Sequence, residues 1–119
     1  MIGKTVRVII DRPLGTYHPN HNDIFYSVNY GYIPDIMAPD GEEQDAYILG
    51  VDEPLEEFTG KVIAIIHRID DIEDKWIVTH DGINFTKEEI YKMVEFQEKY
   101  FKSEIRMWFL QNRIEFIEY

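Results

Sequence analysis

YSVNYGYIPDIMAPDGEEQD, residues 26–45, concentrates phenolic hydroxyls and carboxylates more densely than folding alone requires. Alternation along a regular strand sets Tyr26, Val28, Tyr30 and Tyr32 on one face. Such phenols can donate to an anionic ligand, although tyrosine is also a good strand former whose stripes usually fill cores. Pro39 and Asp40-Gly41 mark a turn, and Ala46-Tyr47-Ile48-Leu49 reads as a short buried strand. Asp40 and Asp45 thus stand at a turn and at a strand mouth, with Glu42 between them. Carboxylates so placed suit Mg²⁺, a hard cation that takes oxygen ligands and is completed by substrate phosphates. A solvated acidic turn is the plain alternative, and the spacing is not that of an EF-hand calcium loop.

Working outward, the composition restricts what this stretch serves. At 119 residues with 45% hydrophobic side chains, the chain is expected to form one domain, residues 1–119, around one core. A net charge of −11 opposes binding to nucleic acid and welcomes divalent cations. The absence of cysteine removes disulfides, thiolate zinc sites and a thiol nucleophile. The apolar run in MIGKTVRVIIDRP is too short for a signal peptide, and nothing approaches the ~20 apolar residues of a membrane helix. A soluble, cytoplasmic protein without a membrane partner is the expectation.

Upstream, Thr5–Ile10 alternates as a first strand that ends at Asp11-Arg12-Pro13. Leu14–Asp23 is a polar loop whose His18 and His21 read as exposed side chains. Downstream, Val62–Ile66 is apolar throughout and reads as a central strand, while Asp52, Glu53, Glu56 and Glu57 form a solvated rim before it. A second acidic cluster, Asp70-Asp71-Ile72-Glu73-Asp74-Lys75, joins that strand to Trp76-Ile77-Val78 as a hairpin. Thr86-Lys87-Glu88-Glu89 is a capping box, and Ile90, Met93, Val94, Gln97 and Phe101 follow at helical spacing. Glu104–Tyr119 mixes apolar and charged residues as a strand, a further helix or an oligomer contact.

Asp40, Asp45, Asp70 and Asp74 at strand mouths, with Asp11 and Glu42, make a set able to hold two or more Mg²⁺ close together. Paired ions lower the pKa of a bridging water and neutralise a leaving phosphate, which favours phosphoanhydride hydrolysis.

Tyr26, Asn29, Tyr30, Gly31, Tyr32 and Ile33, followed by Asp40, Gly41 and Asp45, match the spacing Y-x-x-N-Y-G-Y-I and D-G-D-x-x-D. In these motifs the chain resembles a shortened member of the soluble Mg²⁺-dependent inorganic pyrophosphatases (family I), departing at Glu42, where the family has aspartate. The resemblance implies an α+β, mainly β fold: a small closed OB-type β-barrel with a long C-terminal helix packed against it. It further implies a homo-oligomer that hydrolyses pyrophosphate to two phosphates with a metal-activated water, using several Mg²⁺ ions or Mn²⁺. On this resemblance Asp40, Asp45 and Asp74 hold the first metal, and Asp45 also flanks the nucleophilic water. Glu42 orients or deprotonates that water, and Asp70, or alternatively Asp71, holds a substrate-borne Mg²⁺. Asp11 takes the place of a glutamate in the metal and water network, while Tyr30 and Tyr100 hydrogen-bond phosphate.

The cationic side of the family pattern is thinner. The hairpin that carries phosphate-binding cations in the family is missing between the first strand and the tyrosine strand, leaving Arg12, Lys4 or His18 as substitutes. A family lysine after the second acidic hairpin falls on Trp76, with Lys75 on the opposite side of a regular strand. In the helix, Phe101 stands where the family has lysine, and Lys102 lies one residue on, about 100° around the axis. Three functions are open: a pyrophosphatase, a metal-dependent hydrolase of another small diphosphate with a rate deficit on pyrophosphate, or a non-catalytic binding module.

Overall fold

The computed structural model describes residues 2–71, 73–108 and 114–118. Its elements in chain order are β1 (Thr5–Arg12), β2 (Asn29–Met37), β3 (Glu43–Ile48), β4 (Glu57–Arg68), β5 (Asp74–Thr79), α1 (Lys87–Glu98), β6 (Ser103–Trp108) and β7 (Ile114–Glu118). The strands lie in the order β1-β2-β3-β5-β4, and β1 pairs back onto β4, which closes a five-stranded barrel. β3 and β5 run parallel, whereas the other barrel pairs are antiparallel.

Period-two patterning explains the closure. Val6, Val8 and Ile10 of β1 turn inward to Ile33, Ala46, Ile48, Val62 and Val78, which together fill the barrel. Gly31 pairs with Ile10, and a Cβ built on it would lie 1.9 Å from the Ile9 carbonyl oxygen. Only a glycine lets β1 and β2 approach so closely.

The outer face carries a second core. Tyr26, Val28, Tyr30, Tyr47, Ile66, Ile77 and Ile105 pack there against Ile90 and Val94 of α1. Thr86 caps that helix: its hydroxyl accepts from Glu89 N–H at 3.1 Å, and the Glu89 carboxylate accepts from Thr86 N–H at 2.8 Å. The buried stripe runs Ile90, Val94, Gln97 and Glu98, and the helix stops there. Phe101, expected to continue the stripe, lies in the bend beyond the helix.

The helix does not end the fold. β6 pairs with β4, and β7 pairs with β6, so the acidic and apolar residues after Lys102 form strands. Of the stretch 104–119, residues 109–113 and 119 lie outside the described residues. Among the described residues, no helix is long and apolar enough to cross a membrane.

Candidate active site

Strand register decides which side chains meet outside the barrel. Arg12 pairs with Tyr30, Tyr30 with Tyr47, and Tyr47 with Ile77. One pleat along, Tyr32 pairs with Asp45 and Lys75 pairs with Ile66. Ala46 pairs with Trp76, so continuing that parallel register one residue back sets Asp45 beside Lys75. A cavity of about 510 Å³ opens over these rows, between the sheet, the end of α1 and the loop from Leu14 to Phe25.

Its floor is a connected set of ion pairs. The Lys75 ammonium donates to Asp45 Oδ2 at 2.6 Å and to the Tyr30 hydroxyl at 3.0 Å, and Glu73 Oε2 lies 3.0 Å away. Arg68 donates to the same Glu73 oxygen at 2.9 Å and grips both oxygens of Glu98 at 3.1 and 2.7 Å. The Tyr47 hydroxyl donates to Glu98 at 2.6 Å and accepts from Gln97 Nε2 at 2.6 Å. Gln97 Oε1 accepts from the Tyr26 hydroxyl at 2.6 Å, which in turn accepts from Arg12 at 2.9 Å. Hydrogen bonds thus run without a break from Arg12 at the rim to Asp45 across the floor.

Burial tunes these groups. Desolvation, together with the charge of Asp45, holds the Tyr30 hydroxyl well above its ordinary pKa, so it stays a donor. For Arg68, burial works against the charge, but the hydrogen bonds and charge of Glu98 outweigh it and the pKa rises. Water excluded from around Asp11 raises its carboxyl above the usual carboxylate range; Arg12 works against this and Asp45 adds to it.

Of the residues singled out in the sequence for the site, Asp11, Arg12, His18, Tyr30, Asp45 and Tyr100 line the cavity. The others stand elsewhere. Asp40 accepts from Glu42 N–H at 3.0 Å in an exposed turn, and neither residue lines the cavity. Asp74 pairs with His67 Nδ1 at 2.6 Å, and Asp70 accepts from the backbone N–H of Lys102 at 3.2 Å. The side chains of Asp40, Asp45 and Asp74 therefore do not converge. His18, one of the substitutes named for the missing cations, and His21, expected only as an exposed loop side chain, line the cavity mouth, because backbone bonds between Gly15 and Tyr26 and between His18 and Ile24 fold their loop back over it.

The pattern of the sequence turns Lys75 away from the family lysine position and gives Arg68 and Glu73 no role, yet all three line the cavity. Trp76 packs with the barrel interior, so Lys75 rather than Trp76 faces the cavity. With the lysine one residue earlier, the acid two positions before it becomes Glu73 instead of Asp74. The available signal was a single lysine and a single arginine directly flanking buried apolar runs, where an unpaired charge is not tolerated.

The family model described as inorganic pyrophosphatase matches residues 4–115. An inorganic pyrophosphatase from Ehrlichia chaffeensis shares the fold at 17% identity with a TM-score of 0.63, over 84% of this chain and 83% of that one. One from Coxiella burnetii is 17% identical with a TM-score of 0.59, over 84% and 79%. One from Thermus thermophilus is 19% identical with a TM-score of 0.57, over 81% and 72%. No curated protein matches the chain. Fold and cavity together define a class, a small closed β-barrel with an ionic cleft on its outer face. The chain belongs to the inorganic pyrophosphatase family.

That family is metal-dependent, and a divalent metal is expected of its members. The donor set of this chain is a poor fit to a resident ion. Among the described residues, no group of three or more His, Asp or Glu is brought together as a metal site. Asp45 and Glu73, the carboxylates on the cavity floor, are already engaged by Lys75 and Arg68.

Proposed function

We propose that this chain hydrolyses the phosphoanhydride bond of inorganic pyrophosphate to two phosphates, with magnesium as its divalent ion. One observation carries the reading: the family match over residues 4–115 coincides with a cavity where Arg12, Arg68 and Lys75 face Asp11, Asp45 and Glu73. Arg12, at the rim, binds phosphoryl oxygens, and the neutral Tyr30 hydroxyl orients them from below. Asp45 orients the attacking water and accepts its proton. Water oxygen adds to one phosphorus as the bridging P–O bond breaks, and the two water protons end on the two phosphates. Positioned donors and cations lower the barrier by meeting charge where it develops.

A second reading, hydrolysis of another small diphosphate, is favoured by the same floor. Both deep cations are held by carboxylates, and the cavity of about 510 Å³ falls in the range of sites for larger ligands. Tyr100 at its edge is 53% exposed and offers a ring to such a substituent.

Phosphate release from pyrophosphate and from nucleoside and sugar diphosphates, with Mg²⁺, tests both. Release from pyrophosphate that falls about 100-fold or more in Asp45→Asn supports the first reading. Activity on pyrophosphate that survives this substitution counts against the mechanism, and activity confined to another diphosphate selects the second. Binding without release from any diphosphate identifies a binding module. We also propose a homo-oligomer, on the exposed apolar side chains Tyr17, Phe25, Met37 and Ile69, to be checked by sedimentation, and a cytoplasmic location, on the family match alone.

A further inference from the structure

The Lys75 side chain is 4% exposed, yet its charge is not stranded. An ammonium has three protons to donate, and three oxygens surround this one: Asp45 Oδ2 at 2.6 Å, Tyr30 OH at 3.0 Å and Glu73 Oε2 at 3.0 Å. Two carboxylates, Asp45 on β3 and Glu73 in the hairpin just before β5, thus share one compact point charge at the base of the cavity. Glu73 Oε2 carries a second cation as well, Arg68 at 2.9 Å. Arg68 in turn is locked by the fully buried Glu98, so it is not free to move aside.

We propose that the Lys75 ammonium is the resident cation of this site, occupying the place between Asp45 and Glu73 that a divalent ion would otherwise take. A metal entering there must approach the same oxygens at about 2 Å, against the repulsion of Lys75 and Arg68. It must also strip a buried ammonium of two of its three acceptors. The divalent ion of the reaction is then one that travels with the diphosphate rather than one stored in the protein. The inference deepens the metal side of the proposed function. Its test omits substrate, so its failure leaves pyrophosphate hydrolysis standing, and a failure of hydrolysis leaves it intact.

The test is titration of the metal-free protein with MnCl2 alone, reading free Mn²⁺ by electron paramagnetic resonance. Wild-type protein is expected to show no saturable site tighter than about 1 mM. Lys75→Met is expected to gain one site, at least about tenfold tighter, because two facing carboxylates lose their counter-ion. Adding Asp45→Asn to Lys75→Met removes the gain, and Lys75→Arg, which keeps the charge, shows none. A wild-type site at micromolar Mn²⁺ that Asp45→Asn abolishes overturns the proposal. So does a folded Lys75→Met, checked by circular dichroism, that binds no better than wild type. If Lys75→Met does not fold, the wild-type and Asp45→Asn titrations decide alone: the proposal stands if wild type lacks the site and falls if it has one that Asp45→Asn removes.

Discussion

Arg68 at the end of β4 holds Glu98 at the end of α1 through two hydrogen bonds, of 3.1 and 2.7 Å, with the carboxylate fully buried. A carboxylate at a helix C-terminus faces the negative end of the helix dipole and needs this compensation. The Phe101 ring lies 3.6 Å from the guanidinium carbon and covers its face, which is why Phe101 leaves the helical stripe. Arg68→Met strands the Glu98 charge and is expected to cost about 3–5 kcal/mol in urea denaturation. Arg68→Met combined with Glu98→Leu recovers most of that loss, since the desolvated charge goes with its partner.

Asn29 belongs to the motif that marks the family, and its side chain acts as a brace. Its carbonyl accepts from Leu14 N–H at 2.9 Å and Leu55 N–H at 3.1 Å, and its amide donates to the Glu53 carbonyl at 2.9 Å. Asn29→Ala leaves these partners without their side-chain bonds and is expected to cost about 1–3 kcal/mol. The denaturation midpoint falls with unchanged slope, and hydrogen exchange speeds up at Leu14 and Leu55.

Gly31→Ala is expected to be worse than its size suggests. Its new methyl would meet the Ile9 carbonyl at 1.9 Å, so β1 and β2 must part where the barrel closes. A loss of at least about 1–3 kcal/mol follows from overpacking, read as a lower melting temperature.

Alkaline pH should unfold the protein through its buried phenols. Burial raises Tyr26 and Tyr47 above the ordinary value of 10.0, with Glu98 adding to the rise at Tyr47. The unfolded chain therefore releases these protons first and the folded state holds them. Stability is fully present below about pH 10 and falls as pH rises above it, because the unfolded state binds fewer protons there. Urea midpoints between pH 9 and pH 11 should show that decline, with a shallower slope in Tyr47→Phe.

Much of this arrangement was legible in the chain itself. The β-branched run of β1, the buried Ala46–Ile48 of β3, the hairpin before β5 and the Thr86 capping box are local signals that the structure keeps. Tyr30, Asp45 and Arg12 came to notice through the motif and its flanks, and they do meet in one cavity. The helix end did not announce itself, because Phe101 keeps the 3.6-residue spacing while its contact with Arg68 draws it away. Nor did the distribution of acids. Asp74 and Glu73 are neighbours of equal charge, and the tight hairpin after β4 turns Glu73 to the cavity and Asp74 to His67.

Residue order settles which face of its own strand each side chain occupies, since the period of two is local: Tyr30 sides with Tyr32, Asp45 with Tyr47, and Lys75 with Ile77. It does not settle how strands far apart in the chain line up. A slip of one residue between β3 and β5 would send Lys75 to the barrel interior and bring Trp76 out beside Asp45. Closure of the barrel, with Ala46 held opposite Trp76 across the parallel pair, is what sets Lys75 against Asp45 and so gives the cavity its charge.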